Sequence, residues 1–112
     1  MTDCIFCRIV AGEIPAKVVA QDELALAFED LNPQAPTHVL VIPKHHVRDI
    51  KDEWPAGLLE AVFALANRVA EERGVTASGY RAVFNYGPDA GQTVFHAHLH
   101  LLGGRPLGWP PG

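Results

Sequence analysis

The middle of the chain carries apolar residues with the spacing of an α-helix. The predicted helix starts near Pro55, which suits a first helical turn, and ends before Gly74, which favours the position after a C-terminus. Its apolar face comprises Leu58, Leu59, Val62, Phe63, Ala66, Val69 and Ala70. A second, short helix is predicted over residues 4–11, with Asp3 as its N-cap and Gly12 after its end.

Five other segments have the composition of β-strands. Most are rich in β-branched or aromatic residues and are bounded by turn-forming residues. The predicted strands cover residues 17–20, 24–29, 38–42, 80–86 and 94–102. A helix, three strands, a long helix and two strands, in that order, predict an α+β fold with a mostly antiparallel sheet rather than alternating βαβ units. The length of 112 residues predicts a single domain over 1–112.

Composition and charge narrow the class of protein. Hydrophobic residues make up 48 % of the chain, which argues against disorder. A net charge of −4 argues against a general nucleic-acid surface, which needs clustered lysine and arginine. No apolar stretch approaches the roughly 18 residues of a membrane span, and the N-terminus lacks the basic start and apolar run of a signal peptide. We therefore expect a cytosolic protein that binds neither nucleic acid nor membranes.

Three histidines near the end of the chain alternate with apolar residues. Residues at i, i+2 and i+4 of a strand point to one face, so His96, His98 and His100 would form a row with about 6.6 Å between neighbours. The residues expected to face the core are Ala97, Leu99 and Leu101. Buried imidazoles are costly without partners. The row suits nucleophilic or acid–base chemistry near neutral pH, with a three-histidine metal site or an incidental polar face as alternatives.

A glycine-bearing loop precedes the histidines. Residues 85–93 include Gly87 and Gly91, which let the backbone approach a ligand closely, and Thr93 adds a hydroxyl. Backbone N–H groups and a hydroxyl in such a loop can hold an anion beside the histidines. An ordinary hairpin loop is the alternative interpretation.

Cys4 and Cys7 have the spacing of one half of a tetrahedral zinc site. In a reducing compartment, this spacing favours metal or redox chemistry over a structural disulfide. The chain has no second cysteine pair, so further zinc ligands would be histidines distant in sequence. Two small buried hydrophobic residues and a reversible dithiol are the alternatives.

The segment HAHLHLL (96–102) resembles the signature of the histidine-triad (HIT) family, in which three alternating histidines precede apolar residues. The resemblance covers nearly the whole chain. Further blocks in the family's order are IPAK (14–17), DLNP (30–33), THVLVIPK (37–44) and GQTV (91–94). The ending GGRPLGWPPG (103–112) is similar to that of the Hint branch, the nucleoside phosphoramidases.

The resemblance implies a covalent mechanism. His98 would attack the α-phosphorus and form a nucleotidyl-histidine intermediate, from which water releases a nucleoside monophosphate. His100 would donate hydrogen bonds to the phosphoryl oxygens. His96 and His38 would complete the histidine cluster. The residues implied to position the phosphate and the leaving group are Asn85, Gly91 and Thr93.

Nucleoside binding is implied by the same resemblance. Asp30 would accept hydrogen bonds from the 2′ and 3′ hydroxyls of a ribose. The base would lie against apolar residues whose presence plain core packing also explains. These residues are Ile5, Phe6, Ile9, Phe28 and Leu31.

A structural zinc ion is also implied, because some bacterial HIT proteins carry zinc on a cysteine pair and two histidines. Here the ligands would be Cys4, Cys7, His96 and His46, with His45 as the alternative to His46. Such a zinc ion would tie the N-terminal helix to the sheet. No cofactor is needed for the covalent step.

The resemblance implies a homodimeric hydrolase that cleaves the P–N bond of purine nucleoside phosphoramidates. Trp109 would lie near the partner's leaving-group region, unless the tail is simply exposed. A dinucleoside-polyphosphate hydrolase shares the chemistry, but the tail argues against it. The uridylyltransferase branch usually has glutamine in place of the third histidine, and His100 is intact. A non-catalytic nucleotide-binding or zinc-dependent interaction module is the third alternative, although every catalytic position holds the expected residue type.

Overall fold

Two helices and a five-stranded sheet make up the fold, which a computed structural model describes for residues 3–112. Met1 and Thr2, part of the argument against a signal peptide, lie outside the described residues. The elements are α1 (Ile5–Val10), β1 (Val18–Gln21), β2 (Ala25–Glu29), β3 (Thr37–Pro43), α2 (Leu58–Glu72), β4 (Tyr80–Phe84), a one-turn 3-10 helix (Pro88–Ala90) and β5 (Leu99–Gly103). The predicted α+β fold, with one long and one short helix, is confirmed.

The strands lie in the order β1-β2-β3-β5-β4, and every neighbouring pair is antiparallel. Central strand β3 is buried along its whole length, as its nearly continuous apolar sequence predicts. β5 pairs with β3 so that Leu40 lies opposite His100. Residues directly opposite each other share a face, and His38 precedes Leu40 by two positions. The pairing therefore brings His38 and His100 onto the same face of neighbouring strands.

One face of the sheet packs against α2. The buried residues of this larger core are Ala25, Ala27, Val39, Val41, Val62, Leu65, Ala66, Val69, Ala70, Val75, Leu99 and Leu101. The expected inward orientation of Leu99 and Leu101 is thereby confirmed. On α2, Leu65 is 1 % exposed although it was not among the predicted core residues, whereas Phe63 is 40 % exposed. Leu65 follows Val62 by one helical turn, and so lies at the centre of the buried stripe.

Helix α2 begins at Leu58, not near Pro55 as predicted. Gly57 has a φ of 82°, in the left-handed region, so the helical backbone does not extend back through it. The Leu58 N–H donates to the Pro55 carbonyl at 3.1 Å in a preceding turn. Gly74, with a φ of 70°, follows the helix end as predicted. No helix among residues 3–112 is long and apolar enough to cross a membrane.

The N-cap of α1 is Cys4, and the prediction of Asp3 is wrong. Cys4 has an extended backbone, and its Sγ accepts a hydrogen bond from the Cys7 N–H at 3.3 Å. The Cys4 sulfur therefore takes the place of the oxygen that usually caps a helix. This arrangement gathers both sulfurs at the N-terminal end of the helix.

Strand β5 begins at Leu99, five residues later than predicted. Its neighbours β3 and β4 pair with it only from Leu99 onward. Before that point, the Ala97 N–H donates to the Val47 carbonyl at 2.7 Å, in the loop after β3. Of the three predicted strand histidines, His96 and His98 thus precede the strand, and the residue between them bonds to a loop rather than to a neighbouring strand.

The alternation of the histidine segment nevertheless persists before β5. Ala97 is buried with Val47 and Leu58 on the side of α2. The flanking His96 and His98 contact Phe6 of α1, on the opposite side of the sheet. The sequence therefore predicted correctly which side chains point to opposite sides of the sheet, but it did not predict where the strand begins.

Candidate active site and metal centre

The face of the sheet opposite α2 carries a second apolar cluster. Its buried members are Phe6, Leu26, Phe28, Leu40 and Ile42. The rings of Phe6 and Phe28 meet edge to face, with centroids 5.4 Å apart, and Ile9 packs against the cluster. Ile5 is half exposed, and Leu31 is 99 % exposed in the loop after β2. Of the predicted base-binding residues, Ile5 and Leu31 therefore lie outside this cluster, and Leu31 follows the end of β2 at Glu29.

The orientation of His98 is set by the peptide two residues before it. Its Nδ1 lies 2.8 Å from the His96 carbonyl, which can only accept, so Nδ1 carries the proton. The Nε2 atom is then left with its lone pair. Phe6 packs edge to face on the ring at 5.2 Å. Burial lowers the pKa of His98 below its ordinary value, so the imidazole is neutral and nucleophilic at pH 7.

His38 and His100 form a hydrogen-bonded pair beside His98. The Nε2 atom of His38 lies 2.9 Å from Nδ1 of His100, and the rings of His98 and His100 have centroids 5.0 Å apart. Burial is the main cause, and the neighbouring His98 and His38 a smaller one, that together lower the pKa of His100 to about 4. A neutral His100 still offers one N–H donor. The arrangement therefore places the lone pair on Nε2 of His98 next to a ring that can donate a hydrogen bond.

Asp30 lies immediately after β2, at the edge of the histidine pair. Its Oδ2 is 3.3 Å from Nε2 of His38, and its Oδ1 accepts the Asn32 N–H at 2.8 Å. Sequence reasoning assigned Asp30 to a ribose alone and missed its contact with His38. The contact depends on β2 and β3 being neighbours, which the local pattern around Asp30 does not specify.

An open cleft of about 540 Å³ lies on the other side of His100. Its lining includes Gln34, His38, Arg81, Val83, Asn85 and His100. Gly91 and Thr93 are not among the lining residues: Gly91 ends the 3-10 turn with a φ of 82°, and the exposed Thr93 lies near Cys4 in a smaller pocket. Of the three residues predicted to position phosphate, Asn85 alone lies in this cleft.

Gln92 shapes the loop before the histidines, a role that the sequence analysis missed. Its side chain is largely buried, and its Oε1 accepts the Gly87 N–H at 3.0 Å. Its Nε2 donates to the carbonyls of Val94 and Arg48 at 3.3 and 3.4 Å. A glutamine flanked by Gly91 and Thr93 was the available signal, since a buried amide commonly satisfies loop backbone groups.

The C-terminal segment leaves Trp109 exposed, at 83 % of its possible surface. Arg81 of β4 anchors this segment by donating to the Gly108 carbonyl at 2.9 Å. The final residues, Pro111 and Gly112, reach the rim of the open cleft. Trp109 itself does not line the cleft of its own chain.

Cys4, Cys7, His46 and His96 form a compact cluster close to His98. Their ligand atoms all lie within 4.8 Å of one another. The Nδ1 atom of His96 is 3.2 Å from Cys4 Sγ and 3.1 Å from Nδ1 of His46, and Cys7 Sγ is 3.3 Å from Nδ1 of His46. His46 is the histidine of the 45–46 pair that faces the sulfurs. Two thiols and two imidazoles match a tetrahedral zinc donor set.

The backbone fixes His96 in the form that a metal requires. Its Nε2 lies 2.8 Å from the Pro43 carbonyl, so the proton sits on Nε2 and the lone pair of Nδ1 faces the cluster. His96 is fully buried, and this burial lowers its pKa to about 4. The imidazole is therefore neutral and available as a ligand. The four residues fit a structural zinc ion.

Fold and site together define a class: small α+β proteins with a histidine cluster at the centre of an antiparallel sheet. The HIT domain family matches residues 11–107. The chain belongs to the HIT family, and its features are those of a Hint-like member.

Proteins similar to this chain cover nearly all of it. The crystal structure of a HIT family hydrolase from Legionella pneumophila is 50 % identical, with a TM-score of 0.94, over 98 % of this chain and 100 % of that chain. The 14 kDa zinc-binding protein of Zea mays is 47 % identical over 96 % of this chain and 87 % of its own length. The purine nucleoside phosphoramidase of Escherichia coli K12 is 44 % identical over 95 % of this chain and 91 % of its own length. Family and site together support a HIT-family nucleotide-processing hydrolase.

Proposed function

We propose that the protein hydrolyses purine nucleoside phosphoramidates to nucleoside monophosphates. The observation that carries the proposal is the hydrogen bond from His98 Nδ1 to the His96 carbonyl, which leaves the Nε2 lone pair free beside the donor His100. The similarity to a purine nucleoside phosphoramidase supports the choice of a P–N bond.

The proposed reaction has two displacements at phosphorus. In the first, the His98 Nε2 lone pair forms an N–P bond while the substrate P–N bond breaks, and the leaving nitrogen gains a proton from water. In the second, water attacks phosphorus and gives up a proton to solvent, which replaces the proton used in the first step, while the N–P bond breaks, its electron pair returns to Nε2 of His98, and the nucleoside monophosphate leaves. His100 donates to a phosphoryl oxygen in both steps, which stabilises the charge that develops there. His38 and His96 support these two residues through hydrogen bonds.

The nucleoside would bind on the α1 side of the histidines. Phe6, Ile9 and Phe28 offer an apolar wall for the base, and the half-exposed Ile5 would cover its rim. Asp30 offers a carboxylate for the ribose hydroxyls next to this wall. Asn85, Gly91 and Thr93 remain the predicted contacts to the phosphate and the leaving group, and the fully exposed Leu31 would contact the base only from outside.

Turnover of an adenosine phosphoramidate by wild type and His98→Ala tests the proposal. Loss of the nucleophile should lower kcat by at least about 10³-fold, because the covalent route is closed. Glu71→Ala, at an exposed site on α2, serves as the control and should retain wild-type turnover. Release of AMP at the same rate by His98→Ala and wild type would sink the assignment.

A dinucleoside-polyphosphate hydrolase is the second candidate. The open cleft beyond His100, at about 540 Å³, falls within the usual size of small-molecule sites and has room for a nucleotide leaving group. Competition between an adenosine phosphoramidate and diadenosine tetraphosphate on one sample distinguishes the two. A higher kcat/KM for the tetraphosphate would overturn the preference for P–N bonds. Binding of both without turnover would favour the non-catalytic module.

We also propose that Cys4, Cys7, His46 and His96 hold a structural zinc ion. Zinc in this site would link α1 to the loop after β3 and to the segment before β5. The similarity to a zinc-binding protein of Zea mays supports the metal. Metal analysis of protein purified without chelator should give about one zinc per chain. A Cys7→Ser variant should bind far less, and a wild-type value near zero would remove the proposal.

A homodimer in the cytosol completes the proposal. β4 is an edge strand of the sheet, and edge strands offer free backbone groups to a second chain. Sedimentation should give twice the chain mass. A Trp109→Ala variant should change the preference among leaving groups more than it changes the free energy of unfolding. A monomer at micromolar concentration would contradict the dimer, and fractionation of source cells tests the cytosolic address.

A further inference from the structure

The peptide of Gln34 is held from both sides. Its N–H donates to Nδ1 of His38 at 3.0 Å. Its carbonyl accepts two hydrogen bonds from Arg105, from Nε at 3.1 Å and Nη2 at 2.9 Å. The two prolines that flank it, Pro33 and Pro36, stiffen the loop that carries this peptide.

Arg105 reaches this peptide because the chain turns sharply after β5. Gly104 has a φ of 91°, and a Cβ at that position would lie 2.9 Å from Pro36 Cβ. The turn is therefore packed directly against the loop of residues 33–36. A planar guanidinium that donates twice to one carbonyl fixes the direction of that peptide more strictly than a single hydrogen bond does.

The Gln34 N–H decides which nitrogen of His38 carries a proton. Because Nδ1 accepts, the neutral ring must carry its proton on Nε2. The Nε2 atom that carries this proton lies 2.9 Å from Nδ1 of His100 and 3.3 Å from Oδ2 of Asp30. With Nδ1 of His100 accepting, the remaining proton of His100 is on Nε2, the nitrogen left to donate to a phosphoryl oxygen.

The tautomer of His38 also argues against a second metal site. Asp30, His38 and His100 also gather their ligand atoms within 4.8 Å. A metal at Nε2 of His38 would need the lone pair that the proton occupies. His96 differs, because its protonated nitrogen faces the Pro43 carbonyl and the other nitrogen faces the sulfurs. This three-residue cluster is a hydrogen-bonded relay rather than a metal centre.

We propose that Arg105 is a positioning residue for the donor His100. Arg105 holds the Gln34 peptide in place, and the N–H of that peptide sets the tautomer of His38. The tautomer of His38 then sets the tautomer of His100. The effect on turnover rests on the proposed phosphoramidase activity, whereas the effect on the tautomers does not. Arg105 has no contact with the reacting groups, so its removal should lower kcat and leave KM nearly unchanged.

Long-range ¹H–¹⁵N spectra of protein with ¹⁵N-labelled histidine test the proposal without substrate. Wild-type His38 should show the pure Nε2–H tautomer, and Arg105→Ala should show a mixture of both tautomers. Its kcat should fall by about five-fold, because without the two hydrogen bonds from Arg105 the Gln34 peptide no longer holds His38 and His100 in one tautomer. Arg105→Lys keeps a single donating group, so its tautomer mixture and its kcat should lie between those of wild type and Arg105→Ala. If Arg105→Ala does not fold, Arg105→Lys takes its place in the test. Arg68→Ala, at an exposed ion pair on α2, is the control.

Each outcome decides a separate step. An unchanged His38 spectrum in Arg105→Ala would overturn the proposal, whatever the activity. A mixed tautomer with unchanged kcat would overturn the catalytic part alone. A fall in kcat that Arg68→Ala shares would indicate a general loss of stability and count against a positioning role. If wild type turns over no phosphoramidate, the proposed function fails, while the spectra still decide whether Arg105 sets the tautomer.

Discussion

At the scale of single residues, backbone groups give chemically identical histidines different tasks. The His96 carbonyl accepts a hydrogen bond from Nδ1–H of His98, which leaves the lone pair on Nε2, the proposed nucleophile. The Pro43 carbonyl accepts a hydrogen bond from Nε2–H of His96, which leaves the lone pair on Nδ1, the proposed zinc ligand. For His38, the contacting backbone group is the N–H of Gln34, which is a donor. The contacted nitrogen, Nδ1, therefore carries the lone pair, and the proton is on Nε2. The protein thus controls its imidazoles mainly through peptide groups, which cannot titrate.

The buried state of His100 predicts how stability depends on pH. Its pKa is about 4 in the folded chain and 6.5 ordinarily, so between these values the unfolded chain binds more protons. Stability should therefore fall as the pH is lowered from 6.5 towards 4. Urea unfolding at pH 7 and pH 5 should show a smaller loss of unfolding free energy in His100→Gln than in wild type.

The control for this pH effect is His45→Gln, which replaces an exposed histidine and should retain the wild-type difference. The pKa values of His96 and His98 are lowered in the same direction, so these two residues contribute to the loss that remains in His100→Gln. An equal loss in His100→Gln and wild type would show that burial of His100 does not contribute.

At the scale of elements, the turns decide where the functional strands start and stop. β5 pairs only from Leu99, which leaves His96 and His98 free to turn towards α1. At its other end, Gly104 carries the chain past Pro36 in a left-handed conformation. Both ends of this one strand therefore lie at contacts with segments distant in sequence.

The tight turn after β5 gives a matched pair of glycine substitutions. Gly104→Ala should lower the free energy of unfolding by about 2 kcal/mol, because alanine is strained at this φ and its Cβ meets Pro36. Gly108→Ala should change it by less than about 0.5 kcal/mol, since a Cβ there meets nothing within 4 Å. Chemical denaturation of both variants measures the difference. Equal stabilities would mean that the turn is free to adjust.

At the scale of the whole molecule, α1 joins the proposed metal centre to the proposed base site. Its six residues contribute Cys7 to one and Phe6 to the other. An isolated helix this short is not stable in water, so tertiary contacts must hold it. These contacts include the Cys2His2 cluster, the packing of Phe6 on Phe28, and the packing of Ile9 and Val10 against the second apolar cluster.

Removal of the metal should therefore loosen α1 selectively. After treatment with a strong chelator, hydrogen exchange at residues 5–10 should become at least about ten-fold faster, while residues 58–72 of α2 should be unchanged. Cys7→Ser measured with added zinc should match the chelated wild type. Equal exchange in α1 before and after chelation would show that packing alone holds the helix.

Much of the fold followed from local patterns in the sequence. The helical spacing of apolar residues around Val62 specifies a helix. The apolar run before Pro43 specifies a buried strand. Neither pattern depends on the segments that pack against it. Element boundaries were less well determined: the N-cap at Cys4 and the start of β5 at Leu99 depend on a sulfur contact and on strand partners. Leu31 was assigned to the base site through the family resemblance, yet its side chain is 99 % exposed.

The sequence by itself determined the order of the elements, the alternation of histidines with core residues, and the set of side chains that chemistry would need. These properties depend on residues a few positions apart. Only the tertiary structure decided the protonated nitrogen of each histidine, the choice of His46 over His45, and the support of His38 by Arg105 through Gln34. Those features depend on hydrogen-bond partners that are mostly tens of residues apart, which meet only when the sheet and its loops have assembled.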